Sequence, residues 1–195
     1  MRIVFCGVGA VGSHAVVACR NLGSPLVLVD DDRVESKNLL SQAFARPSVG
    51  KNKAEALRLQ LSNFSGIKAE AMPVRVAATN VETIAAGAAL LVDCFDNAAS
   101  RRVLSVHATA TGIPLVHAAL SGDGTFGLVR WDERFAADDE DVPGQATCED
   151  GGHLPTITLL AAALARVIAD FVHDGTRRDV MVTLDAVTTT FRTRP

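Results

Sequence analysis

The sequence predicts an α/β fold: a Rossmann-like, mostly parallel sheet with helices on both faces, finished by antiparallel strands at the C-terminus. Three observations predict it. The apolar runs at Ile3–Cys6, Leu26–Val29 and Leu90–Cys94 are too short for helices and do not alternate with polar residues. That is the pattern of strands buried on both faces. Segments of helical periodicity separate them. A G-x-G-x-x-G, Gly7-Val8-Gly9-Ala10-Val11-Gly12, lies where the first run meets the first helical segment, which is its place in a nucleotide-binding βαβ unit.

The elements follow in order. After strand Ile3–Cys6, residues Ala10 to Leu22 read as a helix stopped by Gly23. Strand Leu26–Val29 is closed by Asp30-Asp31-Asp32. Lys51 to Asn63 carries Ala54, Leu57 and Leu61 at helical spacing. A strand around Lys68 to Val76, a short helix near Val81 to Ala86 and strand Leu90–Cys94 come next. Ala98 to Thr111 is expected as a helix, with Leu115–Leu120 and Thr125–Trp131 as strands. Asp132 to Asp150 holds eight carboxylates against the single Arg134 and reads as a long exposed loop. Pro155 then opens a strongly apolar helix to about His173. Val180–Leu184 and Thr188–Phe191 close the chain as two strands around an Asp185-Ala186 turn. We expect one domain over residues 1–195, with a nucleotide-binding half (about 1–112) and a second half (about 113–195) containing the acidic crossover loop.

Composition narrows the function classes. With 195 residues, 48% of them hydrophobic, the chain can bury a sizeable core. A net charge of −3 supplies no global field for nucleic acid or anionic membrane, and no run approaches the roughly 20 apolar residues of a membrane span. Cys6, Cys19, Cys94 and Cys148 form no C-x-x-C pair, so no zinc is expected. With no secretory signal in evidence, they are read as reduced thiols of a cytoplasmic protein.

Two segments carry chemistry. Glycines at 7, 9 and 12 let backbone approach phosphate, and the helix that follows offers free N–H groups and its positive dipole end. Asp30, at the end of the second strand, is placed to accept hydrogen bonds from ribose hydroxyls. Asp93-Cys94-Phe95-Asp96-Asn97 ends another buried strand, at the sheet edge where α/β proteins bind ligands. Asp96 there is either a hard oxygen ligand for Mg²⁺ on nucleotide phosphates or merely the cap of the helix from Ala98.

Together these segments resemble the ThiF/MoeB/ubiquitin-activating enzyme superfamily. The resemblance rests on Gly7-x-Gly9-x-x-Gly12-Ser13, Asp30-x-Asp32-x-Val34-x-x-x-Asn38-Leu39-x-x-Gln42, Gly50-x-x-Lys53 and Asp93-x-x-Asp96-Asn97-x-x-x-Arg101. It continues through Thr147-Cys148-Glu149-Asp150-Gly151-Gly152 and Asp185-Ala186. It implies binding of ATP and Mg²⁺, and adenylation of the C-terminal glycine of a small ubiquitin-like or sulfur-carrier protein. By position Asp30 would hold the ribose, Lys53 would neutralise phosphate charge and Asp96 would hold Mg²⁺. Gly7, Gly9, Gly12, Asp32, Asn38 and Gln42 would complete the nucleotide site. Cys148 matches the cysteine that some relatives use covalently. A homodimer or heterodimer is expected on the same ground.

Three departures from the pattern stand out. Ser41 occupies a position where the family usually has arginine, no N-terminal arginine arm precedes the first strand, and zinc-binding cysteine pairs are missing. Arg46 and Arg101 are the chain's own candidates to compensate. The alternative is therefore a catalytically weak member acting as the carrier-binding or regulatory subunit of a heterodimer. An NAD-dependent oxidoreductase ranks behind both, because it gives the Asp93–Arg101 element no role.

Overall fold

A computed structural model describes residues 1–135 and 151–193. One eight-stranded sheet runs through it. In chain order the strands are β1 (Ile3–Cys6), β2 (Leu26–Val29), β3 (Ala69–Met72), β4 (Leu90–Asp93), β5 (Leu115–Leu120), β6 (Phe126–Trp131), β7 (Arg177–Thr183) and β8 (Val187–Thr193). Their spatial order is β3-β2-β1-β4-β5-β6-β7-β8. The first five in this order pair in parallel and the last three antiparallel. The order reverses beside β1, whose neighbours are β2 and β4. A crevice therefore opens at the carboxyl ends of β1 and β4.

Alternate strand residues feed two cores. Ile3, Phe5, Leu26, Leu28, Leu90 and Val92 face the helices α1 (Ala10–Ala18), α2 (Lys53–Ser65) and α5 (Leu154–Asp174). Val4, Cys6, Val27, Val29 and Leu91 face α3 (Val81–Ala85) and α4 (Ala98–Thr111). This is why the strand sequences lack alternation: both faces of each are covered. By length and composition α5 could cross a membrane. Its stripe Ile157, Leu160, Leu164, Val167, Ile168 and Phe171 instead joins the first core, against α1 and β5 to β7.

Several element ends differ from expectation for local reasons. Helix α1 stops at Ala18, four residues early, where Cys19 caps it and a run of turns leads to β2. Helix α2 starts at Lys53 instead of Lys51, because the Asn52 side chain caps it by accepting the Glu55 N–H at 3.1 Å. Strand β3 ends at Met72, before Pro73, which has no N–H to donate. The last hairpin is longer than expected, reaching back to Arg177 and on to Thr193. Between β2 and α2, where no structure was expected, Ser36–Leu40 forms a 3-10 turn. Glu35 and Asn38 cap it reciprocally.

The acidic segment also needs correction at its start. Asp132–Arg134 forms a 3-10 turn, and Asp132 is half-buried, not free in an exposed loop. The rest of that segment, including Cys148, lies outside the described residues.

On the α5 side, β6 passes so close that a Cβ on Gly127 would lie 2.7 Å from Leu160 Cδ2. Gly127→Ala should therefore cost about 1–3 kcal/mol through overpacking. Leu160→Ala should cost about 2–5 kcal/mol by leaving a cavity. The double variant should lose less than the sum, because the new methyl occupies part of the vacated space. Urea unfolding of the three variants checks this.

Candidate nucleotide-binding site

The glycine loop turns at the sheet's reversal point, and each glycine has a separate reason to be there. Gly7 has φ +88°, and a Cβ on it would lie 2.9 Å from the carbonyl carbon of Cys94. A Cβ on Gly12 would lie 2.1 Å from the Gly7 carbonyl oxygen. These two therefore serve close packing of loop, helix and β4. Around Gly9 nothing lies within 4 Å of where a Cβ would be. Gly9 is also the N-cap of α1, with no side chain satisfying the first-turn N–H groups. Open space beside unclaimed donors at a helix N-terminus is what an anionic group fits.

Asp30 flanks this loop. Its side chain is buried, Oδ2 accepting the Val8 N–H at 2.8 Å and Oδ1 the Asp32 N–H at 2.9 Å. Burial pushes its carboxyl up to about 6, against the opposing pull of Lys53 and the two N–H donors. Lys53 comes to the same place because residues 32–34 run antiparallel to residues 50–53. Lys53 N–H donates to the Asp32 carbonyl at 2.8 Å and Gly50 N–H to that of Val34 at 2.8 Å. The Lys53 ammonium, its stem buried, donates to the exposed Asp32 carboxylate at 2.9 Å.

The 3-10 turn closes this side. Asn38 is buried and spends its Oδ1 on the Glu35 N–H at 2.8 Å, so it shapes the turn. Ser13 and His14 of α1 hold the following segment, through Ser13 Oγ accepting the Ala43 N–H at 2.9 Å and His14 Nε2 lying 3.2 Å from the Ser41 carbonyl oxygen. Ser41 is fully buried, and neither its hydroxyl nor the Gln42 Oε1 has a hydrogen-bond partner among the described residues. Both are unspent polar atoms on the segment that the family resemblance implies for the nucleotide site.

Across the crevice, Asp96 is exposed beyond the end of β4. It does not cap α4. Asn97 does, its Oδ1 accepting the Ser100 N–H at 2.9 Å. The capping role weighed for Asp96 is thus filled by its neighbour, and the Asp96 carboxylate is left for other work. Arg101 is unavailable as a substitute phosphate ligand. Its guanidinium donates to the carbonyls of Phe95 and, at 3.0 Å, Ala118, inside the protein. Arg46 is exposed, on a short turn before α2.

His117 of β5 is buried between two carboxylates. Its Nδ1 lies 2.8 Å from Asp93 Oδ2 and its Nε2 2.9 Å from Asp132 Oδ1. Burial works against its charge, but the two hydrogen-bonded carboxylates win and raise its pKa. Sequence spacing holds no signal for this, since the three residues meet only through the β4–β5 register Asp93↔His117 and the turn after β6. Burial drives the thiols of Cys6, Cys19 and Cys94 up, so none of these is a thiolate near neutral pH.

The ThiF family pattern matches residues 1–194. This chain belongs to the ThiF family. Its relatives include the SAMP-activating enzyme E1 of Haloferax volcanii, 35% identical over 122 residues, covering 61% of this chain and 45% of that protein. The adenylyltransferase and sulfurtransferase UBA4 of Meyerozyma guilliermondii is 29% identical over 89% of this chain and 41% of its own length. The sulfur carrier protein ThiS adenylyltransferase of Escherichia coli is 28% identical over 63% of this chain and 50% of its own. The ThiF-family chain described here thus spans half or less of these relatives. The fold is that of E. coli MccB, solved with ATP, at TM-score 0.76 and 17% identity over 99% of this chain and 63% of MccB.

The glycines separate experimentally. Gly12→Ala should lose several kcal/mol or fail to fold, since backbone must move to relieve a 2.1 Å contact. Gly9→Ala should remain folded and lose nucleotide affinity, its methyl entering the open space. Thermal melts and calorimetric titration with ATP check both.

Proposed function

We propose that this ThiF-family chain is an adenylation domain: it binds ATP in the crevice beside β1 and β4 and adenylates the C-terminal glycine of a small ubiquitin-like or sulfur-carrier protein. The observation that carries this is the arrangement at the sheet's reversal point. An open, donor-rich helix N-terminus at Gly9 has Asp30 and Lys53 on one side and the uncapped Asp96 on the other. The sequence relatives, an activating enzyme and two adenylyltransferases, support it.

In this reading the carrier carboxylate attacks the α-phosphorus, the bond to the bridging oxygen breaks and pyrophosphate leaves with its electron pair. The protein positions the groups and stabilises charge. Asp30 accepts from the ribose, α1 presents N–H groups to phosphate, and Lys53 turns from Asp32 towards the added negative charge. Gln42 and the Asn38 turn wall the site. Asp96, an exposed hard oxygen donor, suits Mg²⁺, which would supply further charge neutralisation. The carrier is assigned to the sheet face opposite α5, where Phe126 and Met181 are exposed beside Leu128. A dimer is part of the same proposal.

One observation favours the second reading, a carrier-binding subunit with little catalysis of its own. Ser41 is neutral and fully buried, so it offers neither charge nor reach where the family pattern has arginine.

Pyrophosphate–ATP exchange with the cognate carrier decides between them. Under the first reading, Asp96→Ala and Lys53→Ala should each cut exchange by about 10²–10³, the scale of removing one transition-state charge stabiliser. Absent exchange with intact carrier binding would select the second. ATP affinity should also rise as the pH climbs through about 6, where Asp30 ionises and becomes an acceptor for ribose hydroxyls. Asp30→Asn should flatten that dependence in calorimetry between pH 5 and 8.

A further inference from the structure

The buried histidine lies under the loop that carries Asp96, and its bonding is unusual for a core residue. A neutral imidazole has one N–H and one lone pair, so it can satisfy only one of two facing carboxylates. Both nitrogens of His117 lie within 3 Å of carboxylate oxygens, at 2.8 and 2.9 Å. Both bonds are made only by the imidazolium. The ring also stacks on Phe135, with centroids 4.1 Å apart.

The other oxygen of Asp93 shows what the clamp governs. Asp93 Oδ1 accepts the Phe95 N–H at 3.0 Å, while the Phe95 carbonyl accepts from Arg101. Arg101 Nε in turn lies 3.5 Å from Asp93 Oδ2. Both backbone polar groups of the residue before Asp96 are therefore fixed by side chains around His117. Asp93 is fully buried, so without the imidazolium its charge keeps only the longer approach to Arg101 and the Phe95 N–H.

We propose that His117 is a positioning residue for Asp96: held as an imidazolium between Asp93 and Asp132, it locks the Asp93–Phe95 turn so that the Asp96 carboxylate meets a divalent cation on bound nucleotide. This rests on the adenylation reading and deepens it. The groups that face the clamp are Asp93 from β4, Asp132 from the turn after β6, Arg101 from α4, Arg130 opposite His117 on β6, and the thiols of Cys6 and Cys94, which feel the Asp93 charge. Ser105 and Thr109 of α4 hydrogen-bond Asp132. His117 is the member of this set whose positive charge, held by the two carboxylates against the cost of burial, is lost as the pH rises through its raised pKa.

The test uses Mn²⁺ in place of Mg²⁺ and α,β-methylene-ATP as nucleotide, with water-proton relaxation reporting bound Mn²⁺. His117→Ala should weaken Mn²⁺ binding to the nucleotide complex by about 10–100-fold, the scale for residues that orient metal ligands. Its affinity for the nucleotide in EDTA should be unchanged. In the wild type, Mn²⁺ affinity should fall as His117 deprotonates with rising pH. Asp132→Asn removes one carboxylate that raises the His117 pKa, so it should move that fall to lower pH, and it provides the test should His117→Ala not fold. Wild-type Mn²⁺ affinity in folded His117→Ala, or an unmoved pH profile in Asp132→Asn, overturns the proposal while leaving the adenylation reading intact. A wild-type chain that binds no nucleotide overturns both.

Discussion

Everything in the site depends on how closely α1 can pass the end of β4. The Gly7 carbonyl, the Cys94 backbone and the first turn of α1 meet with no room for a single methyl at Gly7 or Gly12. Because packed backbone does not yield as side chains do, this contact fixes the helix axis relative to the sheet. It also brings two loops distant in sequence to one crevice, since Cys94 N–H donates to the Cys6 carbonyl at 2.8 Å and Gly7 N–H to that of Val29 at 2.9 Å. The glycines thus do two jobs: those at 7 and 12 make the approach, and the one at 9 leaves its product open.

From that junction the two walls are braced independently. On the β2 side, backbone pairing of residues 32–34 with residues 50–53 carries Lys53 to Asp32, and Ser13 ties α1 to the 3-10 turn. On the β4 side the bracing is ionic and buried: Asp93, His117, Asp132 and Arg101 balance two negative with two positive charges. Burying such a set adds little net stability, because desolvation offsets most of the attraction. Its value is directional, since breaking one member leaves another charge unpaired, and so the loop has one favoured conformation.

The two walls also explain what could be read in the sequence. The succession of strands and helices along the chain, the two-faced burial and the glycine loop were legible, because they follow from residue periodicity and from local backbone geometry at Gly7 to Gly12. Asp30 and Lys53 were legible as site candidates through their motifs, but their meeting around Asp32 comes from the pairing of 32–34 with 50–53, which no periodicity announces. The Asp93–His117–Asp132 clamp was illegible for the same reason. Its members lie on three separate elements, and only strand register makes them neighbours. Asp96 is the intermediate case: its motif suggested either cap or ligand, and Asn97 Oδ1 at the Ser100 N–H takes the cap, which leaves the ligand role as the proposal made above.

Charge around the crevice makes the last step. Among the described residues named for the site, Asp30, Asp31, Asp32 and Asp96 outnumber Lys53, whose ammonium is already paired with Asp32. A polyphosphate entering here meets more carboxylates than cations, so backbone dipoles alone must offset repulsion unless another positive charge arrives with it. Asp32 lowers the conflict by its exposure, which lets water screen it. Asp96 is different: a carboxylate turned towards phosphate is unfavourable alone and favourable with a divalent cation between them. Under the adenylation reading proposed above, such a crevice would suit nucleotide that carries its own divalent cation better than free nucleotide. The same balance sets the importance of aim, because a carboxylate out of register with the cation keeps the repulsion and forfeits the bridge.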